Sequence, residues 1–273
     1  MAGICENCTK GNKLSGTPRG RMMQTTPLPS YFASASGNYD TPTYTSKALI
    51  ICPDPFGLGL DNPKLMADIF AEKCGIDVWV ADTFKGNPPL KSEDLEPYMA
   101  DHPGQQIPFL SKLWARLYMI KSIPSIIPFR PSVSDPWLVE FIANLRKEYG
   151  YERIALNGYC WGGGYAVRLA TMPGVIDLAL PAHPAGSYGY AMPNVVVPIT
   201  YFISEVDDQW LPKVAASVQE QWKTKPDAPR FQVITYPGTV HGFGSRPNLS
   251  IPKVKESWEK YVSDVVDVVK ELL

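Results

Sequence analysis

Cysteine is scarce in this chain, with five in 273 residues, at positions 5, 8, 52, 74 and 160. So sparse and odd a set argues against a disulfide scaffold and predicts free thiols in a reducing compartment, the cytoplasm. Cys5-Glu6-Asn7-Cys8 is a CxxC pair with no second pair to complete a zinc site, so no metal is expected. Histidine is scarcer still, at 102, 183 and 241, which makes any assignment of a general base a severe test. No apolar run approaches the ~18 residues of a membrane-spanning helix. The first residues, Met1-Ala2-Gly3-Ile4-Cys5, lack the charged and apolar regions of a secretory leader. Neither sign of charge prevails: 26 basic and 27 acidic side chains are interleaved, for a net charge of −1. Without a basic stripe or polybasic tail, nucleic acid and membrane are not expected partners, and a small molecule is.

What is present is an ordinary globular composition, 45% apolar and 19% charged, long enough for one sizeable α/β domain. Near-continuous apolar runs at 47–52, 77–82, 153–158, 176–181, 197–203 and 230–236 read as buried, mostly parallel strands. Between them, helical periodicity appears at 61–74, 107–122, 134–148 and 252–272. Ser134 is the expected N-cap of the third, with Pro136 in its first turn. Residues 1–46, rich in Gly, Ser, Thr and Pro, read as an irregular segment with an edge hairpin packed on a main domain of 47–273. The proline-punctuated stretch 84–131 reads as an insertion placed to cover a pocket, or as a surface excursion without a role.

The strand run ending at Gly158 leads directly into Tyr159-Cys160-Trp161-Gly162-Gly163-Gly164 and a helix-compatible segment. Strand, sharp turn and helix are the context of a nucleophile elbow, here carrying cysteine in place of serine. Small residues at 158 and 162 would admit the strained turn. The helix N-terminus beneath Cys160 would stabilise a thiolate, the reactive form. The amide of Trp161, next after the nucleophile, is the natural oxyanion donor. A buried structural cysteine on a glycine-rich turn, or a phosphate-binding turn, competes with this reading. Cys52 and Cys74 read as core residues.

A triad on such a fold runs nucleophile, acid, histidine along the chain. His241 follows the last strand run through the expected loop Pro237-Gly238-Thr239-Val240, where the base belongs. The acid should follow 197–203, and Asp207 and Asp208 compete there. Such an acid fixes the imidazole tautomer and supports its positive charge. His183, after another strand run, suits either a pocket rim or a hydrogen-bonded loop, and His102 reads as solvated.

With these residues assembled, the chain resembles the dienelactone hydrolase family, and its fungal cytosolic branch in particular. Gly158-Tyr159-Cys160-Trp161-Gly162-Gly163 matches the family's elbow, His241-Gly242-Phe243 its H-G-F, and Asp54-Pro55-Phe56-Gly57 resembles its early turn. Ser15-Gly16-Thr17-Pro18-Arg19-Gly20 is similar to an N-terminal motif of fungal members. The resemblance implies an α/β-hydrolase fold and hydrolysis of a lactone or activated ester through an acyl-cysteine, without metal or organic cofactor. It implies that Asp54 contacts the nucleophile, and that Lys85 and Arg246 hold a substrate that is then a small anion. It departs at Pro55, where the family supplies a second oxyanion N–H that proline lacks; Phe56 N–H is the expected substitute. It departs again at 204–212, one residue longer than usual. Counting from Glu205 selects Asp207, the preferred acid, and counting back from Pro212 selects Asp208. The expected protein is a carboxylic ester or lactone hydrolase, monomeric or homodimeric. A thiol-sensing or binding protein on the same fold, and an acyl-cysteine transferase, are the alternatives.

Overall fold

The computed structural model describes residues 13–185, 194–207, 219–220, 222–224 and 227–273. Cys5, Cys8 and Asp208 lie outside the described residues. The strands in chain order are β1 (Arg21–Met23), β2 (Ser30–Ala33), β3 (Lys47–Cys52), β4 (Asp77–Ala81), β5 (Arg153–Tyr159), β6 (Leu178–Ala182), β7 (Ile199–Val206) and β8 (Phe231–Val240). They form one sheet ordered β1-β2-β4-β3-β5-β6-β7-β8. β3 to β8 are parallel, and β2 runs against its neighbours β1 and β4. From β3 the chain moves outward to β4 and returns on the other side as β5. The crevice beyond the carboxyl ends of β3 and β5 is therefore a topological switch point, where α/β sheets place their sites.

The helices are α1 (Asn62–Cys74), α2 (Ser92–Leu95), α3 (Phe109–Lys121), α4 (Ile123–Ile126), α5 (Pro131–Tyr149), α6 (Trp161–Leu169) and α7 (Pro252–Leu272). Strand alternation decides which face each covers. Leu49 and Ile51 of β3 point toward Met66 and Phe70 of α1 and Tyr261 and Val265 of α7. Ala48, Ile50 and Cys52 point the other way, toward Leu138 and Phe141 of α5 and Tyr165 and Val167 of α6. The sheet is thus apolar on both sides, as its near-continuous runs require.

Two local readings change in the structure. Helix α5 starts at Pro131, not at Ser134 and Pro136. Pro131 supplies the preset φ of a first helical residue, and Ser134 Oγ donates to the carbonyls of Phe129 (2.9 Å) and Arg130 (3.2 Å). The expected loop 237–240 is the end of β8, where Val206 pairs with Val240 after a register shift. β8 is an edge strand, so Pro237 can lie within it without breaking a ladder on both sides. Residues 84–131 carry α2, α3 and α4. Part of their contact with the body is a small cluster of Phe56, Leu60, Leu90 and Leu95, with Met99, Ala115 and Tyr118 against it, and Asp101 accepts the side-chain amide of Asn248 (2.6 Å).

Asp77, fully buried at the start of β4, ties the segment before β3 to the sheet. Its carboxylate accepts the N–H of Ala35 (3.1 Å) and of Thr45 (2.9 Å) and the hydroxyl of Tyr151 (3.0 Å). Asp77→Ala leaves these donors without their acceptor. It should cost about 1–3 kcal/mol for the buried Tyr151 hydroxyl, with a smaller addition from the two half-buried amides. A urea titration should show the loss as a lowered midpoint.

Candidate active site

Four consecutive parallel strands each deliver one chemical residue at their carboxyl ends. Cys160 follows β5, His183 follows β6, Asp207 follows β7 and His241 follows β8. Cys160 joins β5 to α6 with φ 52° and ψ −108°, a conformation that side chains rarely adopt. Close backbone packing holds it there. A β-carbon at Gly158 would fall 2.0 Å from the Gly162 carbonyl oxygen, and one at Gly162 would fall 2.0 Å from that of Cys52. The amide of Cys160 donates to Ala182 O at 3.1 Å, and its carbonyl accepts from Gly163 and Ala185. Trp161 is the first residue of α6, where an amide has no acceptor within the helix.

His241 Nδ1 lies 3.0 Å and 2.9 Å from the two carboxylate oxygens of Asp207. Asp207 is 1% exposed at its side chain, His241 20%. Ser204 Oγ donates a further bond to Asp207 Oδ2 at 3.0 Å. Burial by itself would lower the His241 pKa. Attraction to Cys160, and hydrogen bonds to Asp207 and Cys160, outweigh it and push the value up to about 10. Thr239 braces the approach: its hydroxyl accepts the Glu205 N–H (3.4 Å) and donates to Tyr236 O (2.6 Å).

His183 is fully buried, and neither ring nitrogen has a hydrogen-bond partner among the described residues. Its ring lies 5.9 Å from that of Tyr159, 5.1 Å from His241 and 5.6 Å from Phe243. Burial, then the neighbouring charge of His241, push its pKa well below the ordinary value. It packs here as a neutral ring, in neither the rim place nor the hydrogen-bonded loop the sequence suggested.

The early turn differs from expectation. Phe56 N–H, the expected oxyanion donor, is turned back onto Asp54 Oδ1 at 3.1 Å. An aspartate two residues before an amide closes this local turn readily. Asp54 Oδ2 takes Arg246 Nε at 2.9 Å and Ser245 Oγ at 3.0 Å. Both members of the Asp54–Arg246 pair are almost fully buried, and the guanidinium lies 4.5 Å from the Phe56 ring centre. A buried charge needs a partner, and here each supplies the other's. Asn62 adds a link, with its amide donating to Ser245 O (2.8 Å) and its oxygen accepting Leu14 N–H (3.0 Å). Lys85 is exposed beyond β4, its ammonium 3.7 Å over the Trp137 ring. Ser245 and Asn62 were missed in the sequence because they act through long-range contacts that carry no spacing signal, whereas the Ser204–Asp207 and Thr239–Tyr236 contacts span three residues and were within reach of a local reading. Among the described residues, no group of three or more His, Cys, Asp or Glu side chains could hold a metal ion.

The parallel sheet, its switch point and the strand-end residues define an α/β hydrolase. Residues 36–273 match the model of the dienelactone hydrolase family, and the chain belongs to that family. It is accordingly a hydrolase acting on ester or lactone bonds. It is 28% identical over 244 residues to hydrolase pyvD of Aspergillus violaceofuscus, covering 89% of this chain and 86% of that one. It is 26% identical over 263 residues to dienlactone hydrolase 1 of Gibberella moniliformis, covering 95% and 88%. Among solved structures, a dienelactone hydrolase-like promiscuous phosphotriesterase from metagenomic libraries aligns with a TM-score of 0.64 at 14% identity, over 93% of this chain and 98% of that one. A Pyrobaculum calidifontis esterase aligns at 0.54 and 11%, over 97% and 88%. At these identities the solved structures speak for the fold alone.

The raised pKa of His241 has a defined sign. A group that binds its proton more tightly when folded stabilises the fold fully below its ordinary value of 6.5. That contribution is lost as pH rises through about 10. Nitrogen-15 spectra of the histidine rings should show His241 as imidazolium throughout the neutral range. A midpoint near 6.5 would contradict the coupling to Cys160 and Asp207.

Proposed function

We propose that the chain cleaves small carboxylic esters or lactones through an acyl-cysteine at Cys160, with His241 as acid–base and Asp207 as its orienting acid. One observation carries this reading: His241 meets Asp207 through Nδ1, and the charge of Cys160 at the strained turn helps to raise its pKa. A base held on one side by a buried carboxylate and coupled on the other to a cysteine sulfur is the arrangement of an activated nucleophile.

In the first half-reaction the Cys160 sulfur attacks the carbonyl carbon, and the carbonyl π pair moves onto oxygen. The Trp161 amide, at the positive end of α6, donates to that oxyanion. The carbon–oxygen bond breaks as the pair returns, and His241 gives its proton to the departing oxygen. From a lactone the leaving oxygen stays tethered to the acyl chain. In the second half-reaction neutral His241 takes a proton from water, the hydroxide attacks the thioester, and sulfur leaves as thiolate. His241 ends protonated, as it began. Asp207 holds Nδ1–H throughout and offsets the imidazolium charge.

Asp54 and Arg246 take a supporting part in this reading. Their mutual pairing fixes the early turn against the elbow and leaves the Arg246 charge largely neutralised. Lys85 remains as the exposed cation for an anionic substrate, so the anionic class implied by two cations narrows to weak recognition by one. His183 packs a neutral ring against His241 and limits its rotation.

Steady-state hydrolysis of a short-chain aryl ester checks the assignment. Cys160→Ala should abolish turnover. His241→Ala and Asp207→Asn should each lower kcat by at least about a hundredfold, within the usual range for acid–base groups. Full activity in Cys160→Ala would exclude the nucleophile, and intact thiol reactivity without any ester turnover in the wild type would favour a thiol sensor.

A further inference from the structure

Helix α3 buries none of its side chains. Phe109 and Leu110 are each 74% exposed, Leu117 56% and Ile120 62%. At 3.6 residues per turn, these four and exposed Leu113 share one arc of about 100°. Ala115 and Tyr118 project from the opposite side and pack on the cluster around Phe56. The arc therefore faces away from the body of the protein. Ile123 and Ile127, both half exposed, continue the apolar surface beyond the helix.

The charges carried by α3 itself have one sign. Lys112 and Arg116 border the arc on one side and Lys121 on the other, all three exposed. With exposed Arg130 they complete the charged residues of the segment, for no Asp or Glu occurs between Asp101 and Asp135. That is a local excess of positive charge in a chain of net charge −1.

We propose that α3 is a docking surface for an anionic lipid bilayer, lying in the interface with its apolar arc inserted. An apolar face flanked by lysine and arginine is the composition of an interfacial helix. Long basic side chains at the border can lay their stems along the acyl region and keep their charges at the headgroups. Each cation near an anionic surface contributes roughly fivefold in affinity. A second copy fits less well, because a two-fold contact would oppose these border cations to one another. A peripheral contact of this kind departs from the expectation of no membrane partner, which rested on the lack of a spanning segment or polybasic tail. No helix among the described residues is long and apolar enough to cross a membrane, so the contact would be peripheral. Through Phe56, docking would bring the bilayer beside the turn that carries Asp54.

The test is co-sedimentation of the full chain with vesicles of phosphatidylcholine alone and of an equal mixture with phosphatidylserine. Binding to the mixed vesicles should exceed binding to phosphatidylcholine by at least about tenfold and fall with added salt. Leu113→Asp with Leu117→Asp should abolish it, and Lys112→Gln with Arg116→Gln should weaken it roughly thirtyfold. Circular dichroism should be unchanged in both variants, as should hydrolysis of a soluble ester. The proposal is overturned if the wild type fails to sediment with the mixed vesicles, or if the aspartate variant binds equally well. Sedimentation velocity showing a dimer that the aspartate variant dissociates would assign the arc to a second copy instead.

Discussion

The close approach of α6 to the ends of β3 and β5 is the constraint on which the site depends. There is no room for a side chain at Gly158 or Gly162, because backbone atoms already fill the places of their β-carbons. This contact turns the chain sharply enough to leave Cys160 at positive φ, with its sulfur at the head of a helix. It also brings Cys52, and the turn that follows it, against the elbow. Once those backbones are seated, the register of the parallel sheet does the rest: β6, β7 and β8 end at successive positions around the same crevice. His183, Asp207 and His241 are assembled by strand length as much as by local preference.

Electrostatics divides the site into two closed pairs. Asp207 faces His241, and Asp54 faces Arg246, each carboxylate buried and each with an added serine hydroxyl, from Ser204 or Ser245. Keeping them separate has a chemical consequence. The imidazole is held by one carboxylate and can answer to Cys160, while the second carboxylate is occupied by a guanidinium and by the Phe56 amide. His183, between Tyr159, Phe243 and His241, fills the space beside His241 without adding charge to it. Removing either partner of the Asp54–Arg246 pair would leave a buried charge alone, at a cost of about 3–5 kcal/mol.

Much of this was legible in the sequence because parallel strands and the elbow write themselves in local pattern. The apolar runs at 47–52 and 153–158 became β3 and β5 almost residue for residue, and Cys160, Asp207 and His241 follow strands in the order read from the chain. What was not legible depends on contacts far apart in sequence. The turn of the Phe56 amide onto Asp54 is local and could have been read from their spacing, but nothing near Arg246 announces a partner 192 residues away. Pro237 looked like a loop because its missing N–H forbids a central strand; only the sheet order shows that β8 is an edge. The helical period of 107–122 was readable, but not that its apolar face would turn outward. Direction belongs to tertiary packing, and it was the small cluster at Phe56 that set it.

Trapping the intermediate tests the central claim most directly. The chain would be mixed with a slowly hydrolysed aryl ester, quenched in acid within the first turnovers, and mapped by peptide mass spectrometry. An acyl thioester on the peptide carrying Cys160, which accumulates in Asp207→Asn and is absent from Cys160→Ala, is the predicted result. Turnover with no acyl group at Cys160, or with the group on Cys52 or Cys74 instead, would contradict it.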